Sequence, residues 1–107
     1  MYVVTITRFP IDKGKEVGER YLEMVKKYPP NRTLEKTILQ MAARIDGDEV
    51  ISIGITEVKE GKFEEVFKLS HEIQMMYADI EGISFDVKPY LSGIEALPLV
   101  GLKMPSE

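Results

Sequence analysis

Residues 2–9 (Tyr-Val-Val-Thr-Ile-Thr-Arg-Phe) are rich in β-branched and aromatic side chains and stop at Pro10, which predicts a first strand. The period then changes. After Asp12, placed to cap a helix, Val17, Tyr21, Met24, Val25 and Tyr28 recur on one face at about 100° per residue, with Leu22 at its edge. Glu16, Glu19, Arg20, Glu23, Lys26 and Lys27 take the other face, and Glu16/Arg20 and Glu23/Lys27 stand at helix-supporting spacing. Pro29-Pro30 ends this helix.

Residues 33–45 read two ways. Leu34, Ile38, Met41 and Ile45 fit a helix, whereas Thr37, Leu39, Met41, Ala43 and Ile45 fit a strand. The strand is preferred because Asp46-Gly47-Asp48 follows at once and a second β-rich run, Val50–Val58, follows that, the pattern of a hairpin. Glu60-Gly61-Lys62 breaks the chain. A second helix is predicted from Phe63 to Ile80, with Val66, Ile73, Tyr77 and Ile80 at its apolar centre, Phe63, Leu69 and Met76 beside them, and Gly82 as its stop. Ile83–Leu91 alternates again and is the fourth strand. A tail, Ser92–Glu107, carries Ile94, Ala96, Leu97, Leu99, Val100 and Leu102. The chain is one domain, 1–107. Its order, β-α-β-β-α-β, predicts an α+β fold of the ferredoxin-like kind: a four-stranded antiparallel sheet with two helices on one face.

The span from Tyr2 to Leu91 resembles a subunit of the dimeric α+β barrel proteins, small prokaryotic members of that superfamily in particular. The Glu95-Ala96-Leu97-Pro98 tail is similar in kind to their C-terminal extension. The resemblance implies a homodimer, open to assembly into larger rings, whose tail reaches the partner subunit. On the residues alone, the third strand is expected to turn Ile51, Ile53 and Ile55 toward the helices. Val50, Ser52, Gly54, Thr56 and Val58 then lie on an open face, and the first strand divides Val4 and Ile6 from Thr5 and Thr7 in the same way. A face lined by small hydroxyl residues suits a second sheet packed against it around a cavity, and the six apolar tail residues need covering.

Polar groups placed to line such a cavity are Thr5, Thr7, Gln40, Arg44, Ser52, Thr56, Ser84, Asp86, Lys88 and Tyr90. Asp86 with Arg44 or Lys88 offers a carboxylate and a cation, and Tyr90 a phenol donor, so Thr5, Thr7, Arg44, Ser52, Thr56, Asp86 and Tyr90 are the expected ligand-binding set. An odd hairpin loop, with Gly47 in a bulge, is expected to put Gln40 and Arg44 on the open face, because burying an unpaired Arg44 is costly.

His71, Asp86 and Tyr90 are the candidate catalytic residues. His71 is the single histidine and titrates near neutrality, but it falls roughly 150° from the apolar centre of its helix, beside Glu64 and Lys68. Haem-degrading members of the superfamily carry a His on the second helix. This chain has no Trp, and its first strand offers Thr5 and Thr7 where an Asn is expected, so haem chemistry is not carried over. No cofactor is expected. Asp46-Gly47-Asp48-Glu49 lacks the spacing of a calcium loop, Lys13-Gly14-Lys15 is no phosphate loop, and Met75 on the polar side of its helix reads as a lone exposed side chain.

Composition narrows the classes further. No cysteine rules out disulfide frameworks, thiolate nucleophiles and zinc ribbons. A formal net charge of −4 speaks against nucleic acid as a partner, and no apolar run is long enough for a bilayer, so no membrane partner is expected. Nothing in MYVVTITRFP resembles a secretory leader, the Asn31-Arg32-Thr33 sequon carries no weight without secretion, and a cytoplasmic location is expected. Glu exceeds Asp by 13 to 5 and Lys exceeds Arg by 10 to 4, with only Asn31, Gln40 and Gln74 as amides, the trend of thermophilic chains. The expected function is the binding of a small, partly apolar molecule between the sheets of a homodimer. The alternatives are a cofactor-independent isomerase or monooxygenase of the type this superfamily contains, and a purely structural oligomer.

Overall fold

The computed structural model describes residues 1–105; the last two residues of the predicted tail, Ser106 and Glu107, lie outside the described residues. Strand β1 is Tyr2–Pro10, helix α1 Gly14–Lys27, β2 Glu35–Asp46, β3 Glu49–Val58, α2 Phe63–Met75, β4 Ser84–Tyr90 and α3 Gly93–Ala96, with 3-10 turns at Ile11–Lys13 and Leu97–Val100. Asp12 sits inside the first of these turns and caps nothing: the residue before α1 is Lys13, without a side-chain cap. The second helix stops five residues earlier than predicted. The Met76 and Tyr77 amides bond to the carbonyls three residues back, at 3.1 and 2.9 Å, so the last turns tighten before Gly82.

The four strands form one antiparallel sheet in the order β2-β3-β1-β4, compatible with a ferredoxin-like α+β arrangement. The strand reading of 33–45 holds. Its ambiguity has a physical source: β2 carries two irregularities against β3, between Thr37 and Leu39 and between Leu39 and Ala42. Each inserts a residue and reverses the alternation, which leaves the apolar positions at helix-like spacing. Among the described residues, no helix is long and apolar enough to cross a membrane.

Both helices cover one face of the sheet, but not the expected one. The core joins Phe9 of β1, Val17 of α1 and Tyr77 and Ile80 after α2, with Met24, Val50, Ile73, Met76, Ile83 and Phe85 packed around it. Val3 and Phe9 are buried, so β1 turns its odd-numbered side chains toward the helices. Thr5 and Thr7 share that side, and pairing of Thr5 with Gly54 and Thr7 with Ser52 brings the small residues of β3 to it as well. Val4, Ile6, Ile51, Ile53 and Ile55 therefore lie on the uncovered face. The expected sides are exchanged because the ends of the strands, where Val3, Phe9 and Phe85 anchor the core, decide which face is covered, and the middle of that face is polar.

The hairpin register is corrected too. Asp46 pairs with Glu49, leaving the two-residue loop Gly47-Asp48 with Gly47 at φ +66°, the conformation a tight hairpin needs in its first loop position. The loop is even, and Arg44 pairs with Ile51. Arg44 still escapes burial, because the isoleucine face is the one the helices leave open.

The two helices are clamped at one end. Arg20 of α1 donates to both carboxylate oxygens of Asp79, at 2.6 and 3.1 Å, and to the Met76 carbonyl. The Arg20 hydrogen bond is the main reason the Asp79 carboxyl is held below its ordinary value of 3.8, and the same bond raises the Arg20 guanidinium. A lowered carboxyl contributes stability above its unfolded value and loses it as pH falls through the folded one. Asp79→Asn is therefore expected to lower the melting midpoint at pH 7, with the gap to the unaltered protein closing as the pH falls below the ordinary carboxylate range. Thermal melts of both proteins across that range check this, and a gap that persists in acid would place the clamp's contribution elsewhere.

Candidate functional site

A cavity of about 470 Å³ separates the helix layer from the sheet within a single chain. Its floor is the middle of the covered face, where Thr5, Thr7, Ser52 and Gly54 stand in place of the large aliphatic residues that fill most helix–sheet cores. Gly54 has a local reason. The irregular stretch of β2 brings the Gln40 carbonyl to 3.3 Å and the Leu39 carbonyl to 3.7 Å from where a Cβ would sit, so a side chain there crowds the bulged strand.

Among the described residues, the hydroxyls of Thr5, Thr7 and Ser52 have no hydrogen-bond partner in the protein. Those of neighbouring residues are occupied: Thr56 Oγ1 donates to the Lys36 carbonyl at 3.2 Å and Ser70 Oγ to the Val66 carbonyl at 3.0 Å. Val17, Tyr21 and Met24 of α1 form part of the roof, and Ser70, Ile73 and Gln74 of α2 the rest. Phe9, Tyr77 and Phe85 line one end, Tyr77 edge-on to Phe85 with 5.8 Å between ring centres. Near the other end are Glu35, Thr37 and Thr56, paired Thr37 to Thr56 across the strands. Thr37, Met41 and Ala43 line the cavity yet are exposed, so the cavity opens along β2.

Among the described residues, Glu35 is the only Asp, Glu, Lys, Arg or His in the lining. Burial raises its carboxyl, opposed by the Thr56 hydroxyl whenever that single proton turns from the Lys36 carbonyl to the carboxylate. Tyr77 is buried and its phenol is pushed up to about 12, so it stays protonated at neutral pH. The Nε2 of Gln74 is enclosed without a partner, in a wall that the cavity shares with a shallower outer pocket of about 450 Å³.

Of the residues the sequence singles out, Thr5, Thr7, Ser52 and Thr56 come together in this cavity, with Gln40 at its β2 side. Arg44, Asp86 and Tyr90 do not join them. Arg44 lies on the uncovered face with its nearest acidic partner Asp46 at 3.9 Å, and Asp86 pairs with Ile6 on that same face and meets Lys88 at 3.4 Å. Arg44 and Asp86 cannot act together within one chain, since they stand on the two outer strands, three strand spacings or about 14 Å apart. Tyr90 is exposed at the far end of β4. His71 is exposed beside the outer pocket, its Nδ1–H donating to the Phe67 carbonyl at 2.8 Å and its ring against that of Phe67.

Glu35, Tyr21, Tyr77 and Gln74 went unnoticed as site residues. Part of the signal was present. Ser70 and Gln74 fall four and eight residues after Val66, inside the apolar stripe of α2, and Gly14 and Gly18 fall inside that of α1. Small or polar residues in a stripe that should fill a core mark space left open. Comparison with known proteins matches this chain to no family model and to no curated protein.

Proposed function

We propose that this protein binds a small, partly apolar molecule in the cavity between its helices and its sheet, and that it works as a homodimer of the dimeric α+β barrel kind. The observation that carries the first part is the floor of Thr5, Thr7, Ser52 and Gly54. A chain built only to be stable would fill that centre with Val, Ile or Leu at about 1.5–3 kcal/mol per buried side chain. The space of about 470 Å³ falls in the range of small-molecule sites. A binding role also accounts for the three hydroxyls without protein partners, and it moves the expected ligand from between two sheets to within one subunit.

The dimer is supported by the uncovered face. Val4, Ile6, Ile51, Ile53 and Ile55 form a half-buried apolar strip on the face turned away from α1 and α2, and Ile94, Leu99 and Val100 of the tail are 73%, 75% and 72% exposed. Apolar surface left open in this way marks an interface. The tail itself is held in shape. Ser92 and Glu95 form a reciprocal cap, and the Met1 amine and the Ser92 N–H draw the Glu95 carboxyl down to about 2. The enzyme alternative loses support from the placement of His71, Asp86 and Tyr90 outside the cavity.

Native mass spectrometry of protein purified gently from its own host tests both parts. The expected result is a particle of about 24.4 kDa, twice the 12.2 kDa chain, that carries a retained small mass. A bare dimer would remove the support for binding, and a 12.2 kDa monomer would overturn the dimer.

A further inference from the structure

The chemistry of the lining narrows the ligand, on the premise that the cavity is a binding site. Among the described residues no Lys, Arg, His or Asp side chain lines it, so an anionic group carried inside would meet no counter-charge, at a cost of several kcal/mol. The one carboxyl in the lining, that of Glu35, supplies no positive charge either. It lies at the opposite end from the aromatic group of Phe9, Tyr77 and Phe85, which prefers a ring or another flat apolar group. Between the ends, Thr5, Thr7 and Ser52 are neighbours across β1 and β3 and present three free hydroxyls in the middle of the floor, each able to donate one proton. At ordinary packing the volume accommodates roughly 15–20 non-hydrogen atoms.

We infer that the cavity takes an uncharged molecule with an apolar, ring-bearing end seated against Phe9, Tyr77 and Phe85 and a hydrogen-bond acceptor in its middle, a carbonyl or ether oxygen, that lies along the row of Thr5, Thr7 and Ser52 hydroxyls and accepts from up to two of them. The acids and phosphate esters of the same size are excluded. Specificity comes from the hydroxyls, because an apolar pocket alone discriminates weakly while unpaired polar groups penalise a ligand that cannot bond to them.

Three probes of one shape test this on the full chain by isothermal titration calorimetry: benzophenone, diphenylmethane, which lacks the oxygen, and 4-benzoylbenzoate, which adds a carboxylate. Benzophenone is expected to bind about tenfold more tightly than diphenylmethane, and 4-benzoylbenzoate more weakly than either. Thr5→Val and Thr7→Val keep the side-chain shape and suit a strand, so both are expected to melt no lower than the parent. Combined, they are expected to narrow the gap between benzophenone and diphenylmethane, because they remove hydroxyls that the ketone pairs and the hydrocarbon leaves unpaired. As a second readout, the side-chain amides number only three (Asn31, Gln40, Gln74), and that of Gln74 in the wall is expected to shift in nitrogen–proton spectra on adding benzophenone.

Equal affinity for ketone and hydrocarbon, or carboxylate binding as tight as ketone, would overturn the ligand class and leave the cavity standing as a site. Failure of all three probes, with the Gln74 amide unmoved, would overturn the binding site itself and the ligand class with it.

Discussion

If the chain pairs through its uncovered face as proposed, Ile53→Lys is expected to give a 12.2 kDa particle in sedimentation or native mass spectrometry, and the unaltered chain one of twice that mass. Ile53 pairs with Ile6 on one side and Ala42 on the other, at the centre of the uncovered face. In a dimer closed through that face, two-fold symmetry brings the substitution in twice, and each ammonium is buried without a partner at several kcal/mol. Every 1.4 kcal/mol is a factor of ten, so the dissociation constant should rise by at least a thousandfold. The subunit itself should fold as before, because the helices and core lie on the other side of the sheet and a lysine on a wetted strand face is tolerated. A variant that unfolds would show that Ile53 belongs to the subunit core. A variant that stays dimeric would move the interface to the tail or to an edge strand.

Phe9→Ala is expected to cost about 3–5 kcal/mol in chemical denaturation, a large share of the roughly 5–15 kcal/mol available to a domain of this size. The described core is small: Val3, Phe9, Val17, Val66, Tyr77 and Ile80 are its buried apolar residues. Phe9 is where β1, α1 and the segment after α2 meet, through Val17, Tyr77 and Ile80. Because the cavity takes the centre of the helix–sheet interface, packing is concentrated toward this end, and the space left by the lost ring adjoins one already open. A loss below about 1 kcal/mol would mean that the layer is held chiefly by other contacts, with the Arg20–Asp79 clamp the first to examine.

The two expected losses read different surfaces. Ile53→Lys should leave the denaturation of the isolated subunit intact while abolishing assembly. Phe9→Ala should weaken the subunit, and with it the cavity whose aromatic end it forms.

Element order was legible along the chain because each element carries its own period. The 3.6-residue stripe of Val17, Tyr21 and Met24 and the proline stop after Tyr28 need nothing from the rest of the molecule, and α1 appears where they place it. The same holds for the turn at Gly47 and for the alternation of Ser84–Tyr90. Thr5, Thr7, Ser52 and Thr56 are legible as small hydroxyl residues on one side of two strands; they share a cavity, but under the helices and not on the open face between two sheets.

What alternation cannot decide is which side of a strand faces the helices. That depends on which face carries the anchoring residues of the assembled layers, and a local comparison of Ile51, Ile53 and Ile55 with Ser52 and Gly54 points the wrong way. The same gap led Arg44 and Asp86 to be grouped, since nothing local reveals that β2 and β4 are the two outer strands. Period, turns and charge pattern are properties of neighbouring residues, so the amino-acid sequence by itself determined the elements and their order. Strand order, the covered face and the cavity depend on contacts between residues far apart in the chain, and only the tertiary structure decided them.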